Sequence, residues 1–237
     1  GAHQKEIVEI FETAFKNNIF EETIINLLPK IYLERNQIKK AINLFNKLIE
    51  NDSENISYRF YISELLIKNR EFQAASEKLK EIYSLSPQFN NELLNKALNI
   101  IKLDPQQSET HLLIAELFTS DFQILKAIHH FQMYINLNPE KTASILQKYK
   151  ALLETFPENI DILFEIAHLS IKIDETCEAS LIIESIKNES PQILKKKIGL
   201  LEKIIDRNDS LIHSIEQLIE LYLQSKTFYK ISPLIEL

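Results

Sequence analysis

The sequence predicts an all-α protein: an α-solenoid of antiparallel helical hairpins, about fourteen helices long, in which residues 1–237 form a single repeat domain. Three observations predict it. Apolar residues recur with helical period along the whole chain and nowhere alternate for long with the period of a strand. The chain holds two glycines in 237 residues, Gly1 and Gly199. Pro87, Pro105, Pro139, Pro157 and Pro191 stand 18, 34, 18 and 34 residues apart, which is a period of 52. Proline ends one helical pattern and suits the first turn of the next, so the spacing marks helix boundaries. The short connections it leaves force neighbouring helices antiparallel.

The elements follow in order. Residues 2–35 make a partial first block, with Ile10 and Phe20 in register. Residues 54–87, 106–139 and 158–191 superpose without gaps, through Ile62/Ile114/Ile166, Leu65/Leu117/Leu169, Ala75/Ala127/Ala179 and Leu79/Phe131/Ile183. Within the first of these, Phe60, Ile62, Leu65, Leu66 and Ile67 give one broad apolar helix face. The intervening pieces also match, as Leu48/Ile100/Leu152/Ile204 and Ile49/Ile101/Leu153/Ile205, and each reads as one helix. Residues 210–237 start a last block that stops in an apolar run, Ile231 to Leu237. The chain starts Gly1-Ala2-His3, so it is expected to be a piece of a longer protein, and an uncapped apolar end offers a route to a homo-oligomer.

Composition excludes several functions. With so few glycines there is no GxGxxG, GxxxxGK[ST] or GxSxG, and so no dinucleotide, nucleotide-phosphate or hydrolase signature. A net charge of −7 argues against nucleic acid as a partner. The apolar runs are too short and too often broken by charge for direct membrane insertion. A soluble protein is expected, in cytoplasm or periplasm. Cys177, the only cysteine, allows no internal disulfide and is expected to be a small core residue. Asn51, Asn55, Asn188 and Asn208 each open an Asn-x-Ser triplet and are expected to serve as turn residues. His129 and His130 are adjacent and point about 100° apart on a helix, so they do not share a metal. His3, His111, His168 and His213 are scattered. Lys195-Lys196-Lys197 reads as a solvated helix face. No catalytic residue, metal or cofactor is assigned, and no enzyme is expected. The preference for isoleucine over valine, of which Val8 is the only example, suggests an AT-rich and bacterial coding genome.

The 34-residue blocks resemble tetratricopeptide repeats. That pattern asks for a small residue at positions 8 and 20, a large apolar one at 24 and proline at 32. The blocks offer Ser63, Ala75, Leu79 and Pro87, then Ala115, Ala127, Phe131 and Pro139, then Ala167, Ala179, Ile183 and Pro191. A further frame holds Tyr32, Ala41 and Phe45, with Ser53 in the proline place. The repeats are degenerate, without Trp at position 4 or Gly at position 8. The resemblance implies a right-handed superhelix and a protein–protein interaction scaffold or assembly module. The alternative is a chaperone or regulator that holds one segment. A 52-residue period holds three helices, however, and in a two-layer stack three-helix units alternate walls. A broken stack, a three-helix solenoid like armadillo or HEAT repeats, and a drifting two-helix array all remain open.

The resemblance also implies that the first helix of each hairpin lines a concave groove. Its ninth position reads Glu64, Glu116, His168 and Glu220, its thirteenth Lys68, Ser120, Lys172 and Gln224, and its fifth Phe60, Leu112, Phe164 and Glu216. Relatives that grip a terminal carboxylate carry Lys at position 5 and Asn at position 9, which this chain lacks. An acidic, partly aromatic groove suits a basic or amphipathic protein or peptide partner. Tyr58, Tyr61 and Tyr83, with Tyr134 and Tyr149 further along, offer a second candidate surface.

Overall fold

A computed structural model describes residues 2–17, 19–187, 190–207 and 212–235. The described residues contain no strand, and the α-helices follow one another along the chain. They are α1 (Ala2–Lys16), α2 (Glu22–Glu34), α3 (Ile38–Asn51), α4 (Ile56–Lys68), α5 (Phe72–Leu85), α6 (Asn90–Leu103), α7 (Ser108–Ser120), α8 (Ile124–Leu137), α9 (Thr142–Thr155), α10 (Ile160–Lys172), α11 (Thr176–Ser185), α12 (Pro191–Arg207), α13 (Ile212–Gln224) and the short α14 (Ser232–Ile235). Asn188, Asn208, Ser210 and Leu237, which enter the sequence expectations, lie outside the described residues.

One turn joins the two helices of a hairpin, and it recurs. Asn36, Arg70, Phe122, Asp174 and Lys226 take positive φ values of 55°, 61°, 58°, 65° and 57°. In each case that residue's N–H reaches the carbonyl three residues back and the next N–H reaches the carbonyl five back, as in Arg70 to Ile67 and Glu71 to Leu66. This pair of bonds satisfies the last carbonyls of the helix. Glycine is the usual occupant of such a left-handed position, because a Cβ costs about 1–2 kcal/mol there. This chain spends none of its glycines on it. Asn55 and Asn159 do the converse work at helix starts, accepting bonds from the backbone N–H of Tyr58 at 3.2 Å and Ile162 at 3.1 Å. Pro87 and Pro139 open single 3₁₀ turns that lead into α6 and α9, and Pro191 opens α12.

The chain divides into two compact units, Gly1–Gln123 and Ile124–Leu237. In the first, each helix from α1 to α5 packs on the next, α6 packs on α7, and α5 also packs on α7. Helices of odd number thus share one layer and those of even number the other. The second unit repeats the scheme. Here α10 packs on both α8 and α12 in one layer, α11 packs on α13 in the other, and consecutive helices join the layers. This is the array of antiparallel hairpins that the resemblance implies. Within each unit the 52-residue period of the sequence is laid over two layers of helices.

The small positions carry the close contacts. Ser63, Ala75, Ala115, Ala167 and Ala179 are fully enclosed, and Leu79, Phe131 and Ile183 fill the seams beside them. Within the second unit the core joins Leu163, Phe164 and Ile183 to Leu201, Ile204 and Leu218, and Ile231 and Leu234 fold in against it. The apolar end at Ile231 is therefore turned inward as far as Leu234. Cys177 is exposed, against expectation. Thr176, Ala179 and Ser180 take the buried face of α11, and position 177 falls off it. Tyr134 and Tyr149 are buried and so leave the candidate tyrosine surface, whereas Tyr61 is exposed and stacks on Phe45 with centroids 5.2 Å apart. No helix among the described residues is long and apolar enough to cross a membrane.

Candidate functional site

The ninth-position residues divide between the two layers in each unit. Glu64 stands on α4, in the even layer, and Glu116 on α7, in the odd layer with α5. In the second unit His168 stands on α10, beside α12, and Glu220 on α13, beside α11. Three helices per sequence period is an odd number, so equivalent residues alternate walls. Equivalence in sequence therefore does not bring Glu64 to Glu116, or His168 to Glu220.

In the first unit the even layer is already paired. Glu64 is exposed but forms an ion pair with Lys96 of α6, which also lies within 3.7 Å of Glu92. The Lys96 ammonium sits 5.5 Å above the ring of Phe60, and Phe60, buried, meets Phe89 edge to face at 5.5 Å. The fifth position here is a packing residue under a lysine lid. Lys68 is exposed at the end of the same helix. On α7, Leu112 and Glu116 are half-buried.

In the second unit the even layer is basic. Phe164 is buried beneath Lys196 of α12, whose ammonium lies 5.1 Å from the ring centroid. One turn further, His168 and Lys172 of α10 face Lys203, Asp206 and Arg207 of α12 across a groove of about 350 Å³ floored by Ile171. Arg207 is held in place, giving one bond to the Ile171 carbonyl at 2.7 Å and pairing with Asp174. His168 keeps an exposed edge. Packing around the rest of the ring, and then the ammonium groups of Lys203 and Lys172, hold its pKa below the ordinary histidine value. Glu165, the neighbour of Phe164, has its pKa raised by burial, although Gln132 donates to it at 2.8 Å.

The odd layer of this unit has another character. Between α11 and α13, above α12, a groove of about 280 Å³ has an apolar floor of Ile183, Leu194, Leu201 and Leu221 and carries Glu184, Gln217, Glu220 and Gln224 on its sides. Glu184 and His213 pair at 3.1 Å across its edge. Lys187 and Lys197 also line the groove, and Lys197 donates to the Ile186 carbonyl at 2.8 Å. This is the one predicted acidic position that stands exposed over an apolar floor. The sequence reading missed Glu184, Lys203 and Arg207, because two of the three belong to α12, outside the 34-residue blocks, and no motif marks them.

Among the described residues no group of three or more His, Cys, Asp or Glu could hold a metal ion. The rings of His129 and His130 meet at 81° with centroids 5.2 Å apart, an arrangement that does not converge on one ligand position.

No family model matches the chain, and no curated protein matches it. Solved structures do. The chain is similar to a tetratricopeptide repeat protein from Parabacteroides merdae ATCC 43184, at 12% identity over 91% of each chain with a TM-score of 0.37. It is similar to the C-terminal part of a repeat-containing protein of this class from Cytophaga hutchinsonii, at 14% identity over 90% of this chain and 94% of that one, TM-score 0.31. It is similar also to YrrB, a tetratricopeptide repeat protein with an unusual peptide-binding site, at 11% identity over 89% and 98% of the two chains, TM-score 0.29. The helical repeat of this chain rests on its own turns, seams and packing order.

Proposed function

We propose that this protein is a protein–protein interaction scaffold, and that one of its working surfaces is the groove between α11 and α13, which takes a basic or amphipathic segment of a partner. The observation that carries the reading is the pairing of an apolar floor, Ile183, Leu194, Leu201 and Leu221, with the acidic side chains Glu220 and Glu184, the second contacted by His213, on a lining that also holds Lys187 and Lys197. An amphipathic helix lays its apolar face into such a floor and its cationic residues against such a rim. Glu64 and Glu116 support the reading less, since Glu64 is engaged by Lys96 and Glu116 is half-buried.

The test is a titration of a labelled amphipathic peptide of alternating leucine and lysine turns against the whole chain. The wild type is expected to bind it, and Glu184→Lys with Glu220→Lys to weaken it at least about tenfold at low salt, because the rim charge is reversed. Equal affinity of wild type and double variant would remove the groove from the reading.

A further inference from the structure

We propose that the groove between α10 and α12 is a second binding site, on the other layer of the same unit, and that it takes an acidic segment of a partner protein through Lys172 and Lys203. The inference rests on the scaffold reading above and gives it a partner of opposite charge. The two grooves share no lining residue.

Four basic side chains converge here from two helices: His168 and Lys172 from α10, Lys203 and Arg207 from α12. Asp206 is the one carboxylate in the lining. Lys172 and Lys203 form no ion pair or hydrogen bond with a described residue. Lys40, Lys80, Lys96, Lys150 and Lys230, by contrast, each hold a glutamate between helices. This groove leaves two ammonium groups open beside His168, whose pKa is lowered by burial first and by those ammonium groups second.

The free chemistry suits single carboxylates. Bidentate recognition of phosphate uses the planar fork of a guanidinium, and the one in this groove is already committed to Asp174 and to the Ile171 carbonyl. What remains is two point charges either side of an apolar floor, Ile171, with Phe164 a turn away under Lys196. Side-chain carboxylates interspersed with an apolar residue match that surface.

The test uses an acetylated, amidated and fluorescein-labelled peptide with the repeated sequence Glu-Glu-Leu, which has no terminal carboxylate. Binding is read by anisotropy at low salt. The wild type is expected to bind, and Lys172→Glu with Lys203→Glu to weaken it at least about tenfold. Lys172→Gln with Lys203→Gln, milder for folding, is expected to weaken it less, with an unchanged helical spectrum. Glu220→Lys is expected to leave it unaffected. Six groups face the bound carboxylates: His168, Lys172, Lys203, Asp206, Arg207 and, behind Arg207, Asp174. An anionic ligand favours protonated His168, whose pKa in the free protein lies below the ordinary value of about 6.5, so affinity is expected to rise as pH falls through and below about 6.5, and His168→Ala to flatten that rise. The proposal is overturned if both double variants bind like the wild type, if the wild type does not bind, or if inorganic phosphate or an oligothymidylate displaces the peptide at lower concentration than free glutamate-rich peptide does. The leucine–lysine peptide is run on the same protein. If it binds and the acidic peptide does not, this site alone fails. If neither binds, the scaffold reading fails with it.

Discussion

The hydroxyl of Tyr222, on α13, donates to the carboxylate of Glu202, on α12, at 2.6 Å, and Lys230 completes the group, 2.7 Å from the same oxygen with its ammonium 5.4 Å from the Tyr222 ring centroid. The first unit holds the same trio. Tyr32 donates to Glu12 at 2.9 Å, and Lys40 meets that oxygen at 2.9 Å with its ammonium 5.4 Å from the Tyr32 ring centroid. The separations along the chain, 20 and 28 residues, are identical in the two groups. At the matching place in between, Lys150 and Glu178 exchange signs, again 28 residues apart, with Ser170 supplying the hydroxyl. Each group ties three consecutive segments of the stack together at one carboxylate, so register between hairpins is set by polar chemistry as well as by the apolar seams.

Tyr222→Phe is expected to cost about 1 kcal/mol, the size of one hydrogen bond whose acceptor keeps its other partner. In a chain of this length that lowers the melting temperature by about 2–4 °C. Loss of less than about 0.3 kcal/mol would show the bond to be incidental.

The same carboxylates set the acid limit of stability. The Lys40 ammonium holds Glu12 below the ordinary glutamate pKa, and Lys150 does the same for Glu178. Burial raises Glu202, but the bonds from Lys230 and Tyr222 outweigh it and leave its pKa lowered. A carboxylate with a depressed folded pKa stabilises fully above its unfolded value, about 4.3, and the contribution is lost as pH falls through the folded value. Unfolding free energy is therefore expected to decline below about pH 5, and to decline less steeply in Glu202→Gln, measured by denaturant titration across that range.

Arg70→Gly is expected to stabilise the protein. Arg70 sits at φ 61° in the turn between α4 and α5, and removing its Cβ removes a cost of about 1 kcal/mol while both turn hydrogen bonds stay in place. A midpoint raised by a few degrees agrees with this, and a lowered one would show that glycine's extra freedom in the unfolded chain dominates.

The hairpins were legible because they rest on local rules: period, proline position and small residues at seams. Ala75, Ala115, Ala167 and Ala179 are as enclosed as their columns predict. The site was legible only in part, and the reason is geometric. A residue's column in the repeat determines which side of its own helix it occupies, but its layer depends on counting helices, and three per period sends Glu116 to the layer opposite Glu64. Nor does the column reveal neighbours. Glu64 and His168 share one, yet α6 answers the first with Lys96 while α12 sets Lys203 beside the second. The five hairpin turns were hidden for a chemical reason, since Asn, Arg, Phe, Asp and Lys stand where a glycine would have announced the left-handed residue.

Ala179→Leu is expected to overpack the seam of α11, where Ala179 is fully enclosed, and to cost about 1–3 kcal/mol. Cys177→Leu, two residues away on the exposed side of the same helix, is the comparison and is expected to stay within about 0.5 kcal/mol. Equal melting temperatures for the two variants would contradict the seam.

The last prediction separates a scaffold from a holder of a single segment. The acidic-sided groove lies between α11 and α13 and the basic one between α10 and α12, with α12 lending Leu194, Lys197 and Leu201 to the first and Lys203, Asp206 and Arg207 to the second. Leu201 and Lys203 stand two residues apart, about 200° around the helix axis, so α12 presents the two sets on different faces without moving and filling one groove need not disturb the other. Two peptides of opposite charge, labelled with different dyes, are therefore expected to bind one protein molecule together, each with an affinity that the other changes by less than about twofold. Mutual displacement would mean that the two grooves cannot be occupied at once, and the protein would then hold one segment at a time. Tightened binding of each peptide by the other would mean that the peptides meet, or that α12 couples the grooves, and an identical dependence measured in both directions is required of a true coupling.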